Sequence, residues 1–140
     1  MEKDSMKKLS YEKWVAAFVQ NLAGHLNLAG WRLETEFAAE PKDGSDDCSA
    51  HIEVNTPYAF AHLVVFPTVK KAFEKGDIDQ LKEIFVHELS HILVDPLHES
   101  MVPFLSNTTR PFFNDTLESV NQRITRILLK TLPESLVPPR

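Results

Sequence analysis

The sequence predicts an α+β fold, and three observations lead to it. Apolar residues recur at three- and four-residue spacing in three long stretches, the period of helices that bury one face. Between the first and second of these, three short stretches carry strand signals, and the first of them, Trp31 to Phe37, alternates apolar and polar side chains, the period of a half-buried strand. Three strands in succession favour a small, mainly antiparallel sheet.

The first helix is expected from Ser10, a suitable N-cap, to Leu28, with Trp14, Val15, Phe18, Val19, Leu22 and Leu26 on its apolar face and Gly30 near its end. Trp31 to Phe37 alternates as a strand. Glu40 to Ser49 is polar, carries Pro41 and Gly44, and reads as a loop. A second strand is expected at Ala50 to Val54, a break at Asn55-Thr56-Pro57, and a third strand at Ala59 to Phe66. After the polar turn at Glu74 to Asp77, the run from Ile78 to Val94 is apolar nearly all round and predicts a buried central helix, which Pro96 should end. A loop with Pro103 and Pro111 follows, then a last helix over Thr116 to Leu132 with Leu117, Val120, Ile124, Ile127 and Leu128 on one face. Residues 133 to 140 form a Pro-rich tail with no assigned structure, leaving a single domain over residues 1–132.

Composition narrows the function classes. The chain has 140 residues, 43% of them hydrophobic and 25% charged, which fits one globular domain and argues against disorder. No run approaches the roughly 20 apolar residues that span a bilayer, so no membrane association is expected. A net charge of −5 argues against a nucleic-acid partner, since gripping phosphates needs clustered Lys and Arg. Cys48 is the single cysteine, and the first ten residues carry charges with no apolar run after them. A reducing, cytoplasmic setting without a signal peptide is the expectation.

The central helix carries His87-Glu88-Leu89-Ser90-His91, of the form H-E-x-x-H. Four residues advance about 400° around a helix and about 6 Å along it, so both imidazoles project from one face and can reach one cation. Imidazole suits zinc (Zn2+), and two histidines leave a tetrahedral ion room for a third protein ligand and a water. Glu88 points about 100° away from His87, beside the ion rather than on it. There it could take the proton of a zinc-activated water attacking a carbonyl and pass it to the leaving amine. With this composition, random shuffling gives roughly 0.02 such motifs per chain, so coincidence is a poor explanation.

Three positions compete for the third ligand. An extended motif with a third His six residues after the second fails, because Leu97 stands there, His98 is one residue late, and Val94 replaces a required Gly. Asp95 lies four residues beyond His91 on nearly the same face, but about two turns from His87. Glu118 lies 27 residues after His91, far enough for the last helix to fold back, and it flanks that helix's apolar stripe.

The chain resembles the gluzincin-like zincins, in particular the short metallopeptidases of phage and prophage genomes. The likeness covers most of the chain: the strand led by Trp31, the strand Tyr58 to Val65 running into Phe66-Pro67, the segment Val86 to Leu93 with Pro96-Leu97 after it, and Glu118 opening a helix that continues through Arg123, Ile124, Arg126, Ile127 and Leu128. Among these only H-E-x-x-H is highly specific. The resemblance implies zinc held by His87, His91 and Glu118, Glu88 as the general base, and a peptide or protein substrate whose identity it does not supply.

It also implies that an extended peptide lies along a sheet edge beside the metal helix, for which Ala59 to Val65 is the expected strand. Tyr58 is a possible oxyanion donor by position alone, and Arg123 and Arg126 are possible partners for a ligand, although a solvated face explains them as well. His25, His51 and His62 have no metal partner at helical or hairpin spacing, and Cys48 has no activating neighbour. The expected function is zinc-dependent peptide-bond hydrolysis. The alternatives are a zinc-stabilised interaction module without turnover and a metal-dependent hydrolase of a non-peptide amide.

Overall fold

A computed structural model describes residues 9–44 and 47–140. The expectations for residues 1–8, and for 45–46 of the polar loop, lie outside the described residues. The elements run α1 (Tyr11–His25), β1 (Arg32–Phe37), β2 (Ala50–Asn55), β3 (Phe60–Val65), α2 (Pro67–Lys75), α3 (Ile78–Met101) and α4 (Arg110–Thr131), with short 3-10 turns between some of them. The fold class is α+β. No helix among the described residues is long and apolar enough to cross a membrane.

The helix α1 buries Trp14, Val15, Phe18, Val19 and Leu22, the stripe its spacing sets. It stops before Gly30 because Asn27 adopts a left-handed backbone (φ 63) and Leu28 N–H donates back to the Ala23 carbonyl at 2.7 Å. Phe18 meets Phe85 of α3 edge-on, with ring centroids 6.0 Å apart. These side chains, with Leu63 and Val65 from the sheet and Leu81 and Leu89 from α3, form the core.

The sheet differs from the expected mainly antiparallel one. Its order is β1-β3-β2, with β1 parallel to β3 and β2 antiparallel to it. The tight Thr56–Tyr58 turn makes β2 and β3 a hairpin, in register from Ala50↔Val65 to Asn55↔Phe60. The longer connection after β1 lets β2 land on the far side of β3, so sequence neighbours β1 and β2 do not pair. Strand β3 is therefore the central strand, paired on both sides, and the expected peptide-binding edge at Ala59 to Val65 is not an edge. The edge strand against α3 is β2.

Helix α2 had no counterpart in the sequence reading. Only Val69 and Ala72 are buried on it, too few to announce a period. Its punctuation was nevertheless present, with Pro67 in the first turn and left-handed Gly76 (φ 74) after the last. The start of α3 is fixed by Asp77, whose carboxylate accepts from Gln80 N–H at 3.2 Å.

The central helix does not end at Pro96 but continues to Met101. Proline removes one amide donor and crowds the preceding turn, which bends or weakens a helix without obliging it to stop. Contacts on both sides hold the last turns: the Thr56 hydroxyl donates to Asp95, and His98 stacks on Phe113 of α4 with centroids 6.3 Å apart. Helix α4 likewise starts earlier than expected, at Arg110, because Pro111 sits in the first turn where a missing N–H costs little. Its buried residues are Leu117, Asn121 and Thr125, whereas Val120 and Ile127, expected on the apolar face, are exposed. The Pro-rich tail carries a 3-10 turn at Glu134–Leu136 and packs Leu136 and Val137 against the core.

Candidate metal centre

His87 and His91 stand one helical turn apart on α3, with ring centroids 4.9 Å apart and planes at 86°. Glu118 approaches from the third turn of α4. Its Oε1 lies 3.1 Å from His87 Nε2 and its Oε2 3.8 Å from His91 Nε2. One donor atom from each residue lies within 4.8 Å of the others, so the three form a group able to hold a metal ion. A tetrahedral ion with ligand bonds of about 2.1 Å needs donor atoms about 3.4 Å apart. The two histidine–glutamate separations fall either side of that spacing.

The surroundings of His87 bear on the same fit. Thr125 Oγ1 donates to the Asn121 carbonyl at 2.8 Å, which uses its only proton. Toward His87 Nδ1, 3.5 Å away, it can then only accept, so the imidazole proton belongs on Nδ1. That leaves the Nε2 lone pair facing the Glu118 carboxylate at 3.1 Å. Two acceptors at that distance need a proton or a cation between them. Asn121 Nδ2 also donates to the His87 carbonyl at 3.2 Å, tying α4 to α3 beside the site.

Burial and the neighbouring His87 push the His91 pKa down, against the opposite pull of Glu118 and Asp95. The ring thus favours the neutral form, the one that ligates metals. Glu88 is pushed up to about 8, first by burial and then by Glu118, with Lys42 pulling the other way. Bringing a cation to the adjacent ligands would favour its ionised form.

An open cleft of about 430 Å³ fronts the group, with His51, Ile52 and Val54 of β2 on one wall and Asn114, Leu117 and Glu118 of α4 on the other. Glu88 and His87 also line a second cleft with Cys48, Ser49, Gln80 and Gln122, so both residues border two openings. Cys48 itself donates to the Ala50 carbonyl at 3.3 Å.

Other residues singled out by sequence fall elsewhere. Asp95 is not grouped with His87 and His91; it joins His98 and Glu99 one turn further along α3. Tyr58 is 81% exposed and lines a separate cleft with Arg32, Asn55 and Phe60, none of which lines the metal-facing one. His62 pairs with Glu36 at 3.1 Å, and His25 is exposed. Arg123 and Arg126 are exposed, and the α4 residues that touch His87 besides Glu118 are Asn121 and Thr125. Sequence reading missed these two, although polar residues at core-facing positions three and seven after Glu118 were a usable signal.

No protein-family model, curated protein or solved structure matches the chain. The functional reading therefore stands on the site's own geometry and chemistry.

Proposed function

We propose that this chain is a zinc-dependent peptidase, with zinc held by His87, His91 and Glu118 and with Glu88 as the general base. The observation that carries the reading is the approach of Glu118 from a different helix to within 3.1 and 3.8 Å of the two histidine nitrogens. An H-E-x-x-H spacing can arise on any helix; a carboxylate converging on both imidazoles at ligand spacing is a further, independent condition. Zinc in such a centre supplies Lewis acidity and lowers the pKa of water.

The remaining work falls to the protein. Thr125 fixes the His87 tautomer, so that Nε2 is free to ligate. Glu88, one residue from a ligand and held in a poorly hydrated position, takes a proton at its carboxylate and returns it to the leaving nitrogen. An extended peptide would lie along β2, whose outer edge pairs with no other strand among the described residues and whose Ile52 and Val54 line the cleft.

Zinc uptake by the metal-stripped protein, together with turnover of a mixed peptide library, tests the proposal. Glu88→Gln should retain zinc and lower hydrolysis at least about 100-fold, and Glu118→Ala should weaken zinc binding. Zinc uptake by the parent without hydrolysis of any peptide would sink the peptidase reading and favour an interaction module. Turnover confined to non-peptide amides would move the substrate class.

A further inference from the structure

We infer that the last turns of α3 carry a second divalent-cation site, formed by Asp95, His98 and Glu99. One ligand atom from each lies within 4.8 Å of the others. Helical geometry explains the convergence: residues three and four after Asp95 stand about 60° and 40° either side of it, one turn along, where their side chains are neighbours.

Two of the three donors are already oriented. The Thr56 hydroxyl donates to Asp95 Oδ2, which holds the carboxylate and leaves Oδ1 available. The His98 ring stacks on Phe113 of α4, with planes at 25°, which restricts its rotation while leaving ring nitrogens in its own plane. Both residues line the cleft that fronts His87 and His91, so an ion there is reached from the same opening. Glu99 is exposed and completes the set from the solvent side.

The place on the helix favours a cation in two further ways. The group occupies the C-terminal turns of α3, where unpaired carbonyls and the helix dipole concentrate negative potential. It also straddles Pro96, which has no amide proton to donate to the Ile92 carbonyl, so the turn lacks one of its own hydrogen bonds. A cation bridging residues 95, 98 and 99 clamps the turn that proline weakens. One imidazole with two carboxylates selects a borderline ion such as zinc over calcium or magnesium, which prefer oxygen alone. The site rests on its own residues and does not depend on the hydrolytic reading.

Zinc is the probe. The untagged, metal-stripped chain is titrated calorimetrically with zinc chloride, alongside Asp95→Asn, the double variant His98→Gln/Glu99→Gln, and His91→Ala. Asp95→Asn and the double variant should each bind one equivalent fewer than the parent while keeping the parent's circular dichroism. His91→Ala should lose a different equivalent, leaving this one in place. Backbone amide exchange at residues 97 to 101 should slow several-fold with zinc in the parent, and not in the double variant. If Asp95→Asn and the double variant take up as much zinc as the parent, the second site is refuted. If only those variants lose zinc and His91→Ala loses none, this site stands and the centre at His87, His91 and Glu118 falls.

Discussion

At the scale of single residues, a carboxyl buried beside another carboxylate holds its proton more tightly in the folded chain than in the unfolded one. Glu88 is raised from 4.5 to about 8 by burial and Glu118, so its contribution to stability is fully present below about pH 4.5 and is lost as pH rises through about 8. His91, whose pKa is lowered, works the other way: its contribution is present above its unfolded value and lost in acid. Comparing the metal-free parent with Glu88→Gln isolates the first effect, because His91 is common to both. The variant should be about as stable as the parent near pH 5 and more stable by roughly 2–4 kcal/mol near pH 8, as read from urea unfolding at the two pH values. Parallel pH profiles would contradict the burial of Glu88. Thr125→Val keeps shape and removes the acceptor facing His87 Nδ1; zinc affinity should fall about tenfold, measured by competition with a chelating dye. His87, Glu88 and His91 were legible in the sequence because one helix of known period positions all three. Asn121 and Thr125 were not assigned, since their role depends on how α4 is rotated against α3.

At the scale of elements, the helices were readable where a helix buries a continuous apolar stripe, as α1 does. Reading failed where tertiary contacts or turn chemistry decide. Pro96 suggested a helix end, yet its ring is exposed and the turns around it are held by Thr56 and Phe113, neither of which sequence spacing can bring near. Pro96→Ala restores a helical donor at an exposed position and should raise stability by about 1–3 kcal/mol, with a higher thermal midpoint. A lower midpoint would mean that the helix backbone is built around the proline. At the other end of α3, Asp77→Ala removes the N-cap acceptor for Gln80 N–H and should cost about 1 kcal/mol in denaturant unfolding. The sheet order was not legible either. Alternation fixes which face of a strand is buried but says nothing about which strand lies in the middle, so the exchange of β2 for β3 as the edge beside α3 emerged only in three dimensions.

At the scale of the whole molecule, the end of the described chain is joined to its beginning. The buried Trp14 indole of α1 donates to the Pro138 carbonyl at 2.8 Å, and Asn21 of the same helix donates to the Leu136 carbonyl at 2.9 Å. Lys82 on α3 meets Glu134 at 3.0 Å, and Arg140 donates to the Phe73 carbonyl of α2 while lying over its ring. Composition alone made this segment look unstructured, because its prolines rule out a regular helix or central strand. Proline does not prevent packing, and it lowers the entropy lost when an extended segment docks. Deleting residues 133 to 140 would expose core apolar surface under Leu136 and Val137 and leave the Trp14 N–H, now buried, without its acceptor. An orphaned buried donor costs about 1–3 kcal/mol, and two partly buried aliphatic side chains add about the same again. Truncation after Leu132 should therefore lower stability by roughly 2–6 kcal/mol in urea unfolding. These tail contacts fall on α1, α2 and the start of α3, and none of them involves His87, His91 or Glu118, so zinc affinity of the folded fraction should be unchanged. A truncated chain that unfolds at the parent's midpoint would show that the tail is not an integral part of the core.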